Sequence, residues 1–363
     1  MKPVFVNGVS RNGGEPALIE CIRDILLKSS DNFSWLEKGD TVLLKPALNS
    51  PDPYPATTHP LAIEVTSRLL AEHGAKVVIG DQSGIEHVLH HPAGVIHGSS
   101  RSNYIRSGMG LKDDTRFMSF EDGEWDTGFY HYRSANTPSW PYGFFITEWA
   151  RKADHIISLP RLSTHSQAGA TLGFKVMVGM LREDSRMEFH ANGPYNNFIR
   201  NAAKGSTLSA KDDGSGTFFE KIVEISDAIR NKLRLTMIVA TKAQATFGPD
   251  RFGIRFGPFG LGRAYVMDPE PGLVFASADQ VAAEAYALAI IRDLKRAVPF
   301  IPRIMERIFL FQNTNVGDLP TMPVRIHPFI RHGIAISLGE MPEKIEYANV
   351  PYAVQDRINA CLY

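Results

Sequence analysis

"TVLLKPALNSPDPYPATTHPLAIEVTSRLLAEHGAKVVIGDQSG", residues 41–84, is a strand, a helix and a second strand written in order. "TVLLK" and "KVVIG" are short aliphatic runs without polar alternation, the pattern of strands buried on both faces. Between them, residues 60–73 have helical spacing, introduced by "TTHP", whose Pro60 suits a first helical turn. Strands alternating with amphipathic helices imply a mostly parallel sheet.

Working outward, similar runs recur as "PVFVN", "HIISL", "LTMIVA" and "GLVFAS", and further helical segments cover 16–28, 218–232 and 279–296. The reading is an α/β fold, a mostly parallel sheet flanked by helices. Two regions break the rhythm. Residues 85–143, rich in His, Gly, Asp and aromatics, read as long loops or an inserted subdomain, and 203–216 as a flexible polar loop. Prolines multiply after residue 297, so an irregular C-terminal extension, 297–363, is expected to pack on an α/β domain of 1–296.

Of the 363 residues, 44% are hydrophobic and 21% charged, an ordinary globular composition that argues against disorder. Lys plus Arg and Asp plus Glu balance at 39 each, so a uniformly basic nucleic-acid binder is not indicated. Two cysteines, Cys21 and Cys361, cannot supply the four ligands of a typical iron–sulfur cluster or Cys₄ zinc site, and their scarcity suits a reducing compartment. "MKPVFVNGVS" has too short an apolar run for a secretory signal, and no stretch reaches the length of a membrane span. A soluble, cytoplasmic protein without membrane or nucleic-acid partner is expected, its oligomeric state open.

In open α/β sheets, ligands bind beyond the carboxyl ends of the strands. "TVLLKPALN" ends in Lys45 with Asn49 nearby, "KVVIGDQSG" in Asp81 and Ser83, and "HIISLPRLSTH" in Pro160, followed by Arg161, Thr164 and His165. Any one of these could be an ordinary solvated loop residue. As a set on three strands, they have the composition of a small-anion site with acid–base chemistry.

"LSTHSQAGATLGFKVMVGMLREDSRMEFH", residues 162–190, extends this set. Gly169 and Gly173 allow the chain to fold tightly between His165 and Lys175. Lys175, between Phe174 and Val176, is either an amine of lowered pKa, a charged anion holder, or a snorkelling side chain. Candidate site residues are therefore His165 and Lys175 for chemistry, with Lys45, Asn49, Asp81, Ser83, Thr164, Gly169, Thr171, Gly173 and Arg186 for substrate or cofactor.

"VLLKPALN", "THP" with its helix, "HGAKVVIGDQSG", "ADHIISLPRLSTHSQAGATLGFKVMVGML" and "DQVAAEAYALAII" resemble, in order and style, the domain of unknown function 362 family over roughly residues 40 to 295. That family implies a scaffold and no particular reaction. The central block is also similar to the nickel-pincer lactate racemase family through His165, Ala168, Gly169, Thr171, Gly173 and Lys175. Leu172 interrupts that family's double glycine, and Glu284 stands where the first family has aspartate. The racemase resemblance implies His165 as proton acceptor, Lys175 as cofactor anchor and His190 as metal ligand. Whether a metal or organic cofactor is bound stays open.

"IEHVLHHPAGVIH" spaces His87, His90 and His91 as on one helical face, with Glu86 or His97 as further metal ligands. The plainer reading is a histidine-rich loop, since Pro92 ends any helix there, and a structural zinc site is not expected. "FGPDRFGIRFGPFGLGRAY", 247–265, joins glycines to Arg251, Arg255 and Arg263, either an anion grip or a surface loop.

Two functions follow. One is an enzyme acting on a small anionic metabolite by proton transfer, of racemase or isomerase, lyase or reductase type. The other is a non-catalytic protein binding a ligand, metal or cofactor in the same cleft.

Overall fold

The computed structural model describes residues 3–110, 116–192, 203, 206–209, 211–250, 264–309 and 322–363. Eight strands form the central sheet: β1 Val4–Val9, β2 Thr41–Pro46, β3 Lys76–Asp81, β4 Phe117–Ser119, β5 His155–Leu159, β6 Leu233–Ala240, β7 Gly272–Ser277 and β8 Ile345–Ala348. Their spatial order is β8-β1-β7-β6-β5-β2-β3-β4. Seven strands run the same way, and β7 alone is reversed, antiparallel to both β1 and β6. The expected α/β architecture is present.

Successive strand residues point to opposite faces, and each face is apolar. Val42 and Leu44 pack with helices α1, Gly14–Ser29, and α2, Pro60–Glu72, through Leu18, Ile22, Leu61 and Leu69. Leu43 and Phe275 face the other way, into a cluster with α4, Gln280–Arg296. Helix α3, Glu183–Ala191, contributes Phe189 to that second cluster. As its sequence suggested, α2 opens at Pro60, with the His59 side chain accepting from the Leu61 N–H. The helix anticipated over 218–232 is instead an α-helix, Phe218–Glu224, continued by a 3₁₀ turn, Ile225–Ile229.

Residues 85–143 add a ribbon, Leu89–His91 with Gly94–His97, half of a second ribbon, Phe129–Tyr132 with Phe144–Thr147, and the edge strand β4. After residue 297 come helices Phe300–Phe309, Pro328–Ala335 and Tyr352–Leu362, and β8, which joins the sheet beside β1. A smaller sheet forms just beyond the ends of β5 and β6. Its strand order is Gly169–Thr171, Ser163–His165, Ala243–Gln244, Val266–Met267.

Candidate functional site

The carboxyl ends of β2, β3 and β5 meet the smaller sheet around a cavity of about 50 Å³. Asn49, Asp81, Arg161, His165, Thr171, Lys175, Gly179 and Arg186 are among its walls. Each arrives by a different local route. Asn49 follows one parallel strand and Asp81 ends the next, His165 and Thr171 sit on paired strands of the smaller sheet, and Lys175 begins a 3₁₀ turn, Lys175–Met180. Arg186 projects from α3.

Asp81 is fully engaged. Its Oδ1 lies 2.7 Å from Lys45 Nζ, and it accepts from the N–H groups of Leu48 and Gln82 at 2.9 and 2.8 Å. Burial pulls Lys45 down and Asp81 up, and their contact opposes both shifts. Gly179 completes the pair, since a Cβ there would stand 2.0 Å from Asp81 Oδ1. Arg186 is likewise spent inside the protein. It donates to the carbonyls of Leu181, Ser83, Gln82 and Gly179 at 2.9, 2.5, 3.1 and 2.9 Å.

Arg161 differs. It is 1% exposed, yet among the described residues none of its three guanidinium nitrogens has a hydrogen-bond partner. Burial lowers its pKa to about 10, opposed by the more distant charges of Asp250, Asp52 and Asp81. Lys175 is also buried, with its Nζ 5.3 Å from the centre of the Phe189 ring. Burial and the positive charges of Arg186 and Arg161 bring its pKa down to about 7. The Thr171 hydroxyl, on the same wall, has no partner among the described residues either.

His165 Nδ1 accepts the backbone N–H groups of Gln167 and Ala168 at 3.0 and 3.2 Å. The neutral ring therefore carries its hydrogen on Nε2. Burial, then Lys175, His190 and Arg161, hold its pKa well below the usual histidine value. His190 Nδ1 lies 3.0 Å from Gln167 Oε1, and its pKa is lowered well below normal by burial and by Lys175 and Arg186.

Of the residues anticipated from sequence, Asn49, Asp81, His165, Thr171, Lys175 and Arg186 line the cavity. Lys45 stands behind it as the partner of Asp81. Ser83, Thr164, Gly169, Gly173 and His190 are not on its wall. The Ser83 hydroxyl accepts from Asn103, and that of Thr164 donates to the Gln244 carbonyl. Gly169 turns one strand of the smaller sheet into the next. Gly173 leaves room for buried Glu284, whose Oε2 would be 3.0 Å from a Cβ there and accepts the Phe174 N–H at 3.1 Å. Arg161, part of the strand-end set but not singled out as a binding residue, is on the wall, as are Gly179 and Gln82, which the sequence reading did not name.

The three histidines of 87–91 do not share a helical face, because His90 and His91 lie on a strand. His87 Nε2 meets Asp250 Oδ2 at 2.8 Å, His90 is edge-on to Trp125, and His91 Nε2 contacts the Thr207 hydroxyl. Among the described residues, one group of three side chains has metal-ligand spacing: Glu86, His87 and Asp250, with ligand atoms within 4.8 Å of one another. His190 is outside it. Arg251, Arg255 and Arg263 lie outside the described residues.

A family model described as Domain of unknown function (DUF362) matches residues 42–289, more than half of the chain. The chain belongs to the DUF362 family. A thylakoid-associated protein from Synechocystis sp. is 26% identical over 181 residues, which cover 48% of this chain and 49% of that protein. The chain thus spans about half the length of this curated relative. No solved structure matches the chain. Every wall residue of the cavity falls within the DUF362 match, whereas the helices after residue 297 fall beyond it.

Proposed function

We propose that the cavity binds a small anionic metabolite through a carboxylate or phosphate group and transfers a proton on it. The observation that carries this reading is Arg161, a buried guanidinium whose three nitrogens have no partner among the described residues, beside a lysine whose pKa is lowered by burial and then by positive neighbours. Leaving such a group unsatisfied is costly, and a bound anion supplies the missing acceptors.

Each wall residue then has a role. Arg161 grips the anion. Lys175, with a pKa of about 7, exchanges a proton near neutrality and serves as base toward an adjacent carbon. His165, with Nδ1 occupied by two backbone donors, offers Nε2–H to the oxygen on which charge develops. It acts as the acid partner, and its lowered pKa keeps it neutral. Thr171 supplies a further hydroxyl. Lys45, Asp81 and Arg186 hold the walls. A cytoplasmic location belongs to the same reading.

The test has two stages. Small carboxylates and phosphate esters are screened for a rise in Tm that is lost in Arg161→Met. Each ligand found is then incubated in deuterated water and followed by NMR for exchange at the carbon beside the anion. Exchange abolished in Lys175→Met supports the enzyme. Binding without exchange makes the protein a ligand carrier, and absence of any Arg161-dependent binding overturns the reading.

A further inference from the structure

The helix Phe300–Phe309 carries its amphipathic pattern inside out. Its acidic residue, Glu306, is buried 2.7 Å from Lys295 Nζ and accepts from the Phe247 N–H at 3.3 Å. Lys295 Nζ also donates to the Ala245 carbonyl at 3.2 Å. These contacts pin the polar side of the helix to the body of the protein. With about 100° between successive residues, Phe300, Ile301, Ile304 and Ile308 lie on a different side from Glu306. Phe300, Ile301 and Ile308 are 71%, 73% and 57% exposed.

Scattered exposed apolar residues are ordinary, but a helical stripe that cannot roll inward marks a contact surface. Its surroundings indicate the partner. Arg303 and Arg307 are exposed along one edge of the stripe, and Arg296 is exposed just before the helix. Glu306, the acidic residue of the helix, is already paired. A second copy docked by two-fold symmetry would bring these arginines toward one another. An anionic lipid surface meets both features, apolar ridge and cationic edge.

We propose that this helix lies in the headgroup boundary of an anionic bilayer. Phe300, Ile301 and Ile308 enter the acyl boundary, and Arg303 and Arg307 meet lipid phosphates. The helix has ten residues and rests on the membrane; no helix of the described residues is long and apolar enough to cross one. The expectation of no membrane partner follows from span length, which does not address a helix lying on the surface.

The experiment is co-sedimentation of the full chain with vesicles of phosphatidylcholine alone or mixed equally with phosphatidylglycerol. The wild type should sediment with the mixed vesicles and stay in solution with the neutral ones. Arg303→Gln with Arg307→Gln should weaken binding roughly thirtyfold, as expected for two basic residues at an anionic surface. Phe300→Ser with Ile301→Ser and Ile308→Ser should abolish it. Circular dichroism and Tm of each variant confirm folding, which these exposed positions should leave intact. No sedimentation of the wild type, or unchanged sedimentation of the folded triple variant, overturns the proposal. A wild-type dimer that becomes monomeric in the triple variant, without vesicle binding, reassigns the stripe to self-association and also overturns it.

Discussion

Lys45 Nζ and Asp81 Oδ1 are 2.7 Å apart, on adjacent parallel strands and almost wholly out of solvent. The pair closes the back of the cavity and ties together the two strand ends from which its floor is built. Removing one partner leaves the other buried and uncompensated. Asp81→Leu should therefore cost about 3–5 kcal/mol in urea unfolding, and Lys45→Met a similar amount. The double variant should recover most of that loss. Additive losses in the double variant would show that the two side chains do not act as a pair.

Arg161 should show the opposite trade. Its guanidinium is buried without acceptors among the described residues, so Arg161→Met should stabilise the ligand-free protein by roughly 1–3 kcal/mol. The same substitution should remove binding of small anions. A variant less stable than wild type would mean that the guanidinium is satisfied in solution. Urea unfolding without and with ligand reads both effects.

Lys175 gives a pH signature. Its folded pKa of about 7 lies below the ordinary value of 10.5, so between these limits the unfolded chain holds more protons than the folded one. Stability contributed through this group must rise with pH across that window and be lowest beneath it. Lys175→Met should flatten the rise. Anion affinity has the opposite sign, since the amine loses its charge as pH passes about 7. Unfolding and binding measured over the same pH series check both slopes.

Glu284 runs the other way. Burial raises its pKa from 4.5 to about 8, so the folded state holds the extra proton between those values. Stability through Glu284 is present below that window and declines as pH rises through it. Glu284→Gln keeps an acceptor for the Phe174 N–H without the ionisable group, and should remove the decline at a cost below about 1.5 kcal/mol. A larger cost near neutrality would place a charged carboxylate at this position.

Much of this was legible in the chain because buried parallel strands announce themselves by composition. Lys45, Asp81 and His165 are placed at neighbouring strand ends by the sequence pattern alone. The direction of β7 could not, since a strand buried on both faces has the same aliphatic pattern whichever way it runs. Arg161 was visible but indistinct. In sequence it is one more cation after a strand, and its lack of partners depends on what folds over it. Ser83, Gly169 and Gly173 look like ligand residues and serve instead as hydrogen-bond acceptor, turn and clearance. The histidines at 87–91 parted because Pro92 and Gly94 fold that stretch back into a ribbon.

The placement of β1 between β7 and β8 has a consequence for biosynthesis. Strand β1 has both its sheet neighbours in the last third of this sequence, Phe5 opposite Ala276 on one side and Glu346 on the other. While β2, β3 and β5 can assemble with nearby segments, β1 waits with two unpaired edges. Such a strand is exposed to wrong pairings for most of synthesis. The many non-local contacts then make the final closure of the sheet a slow, late event.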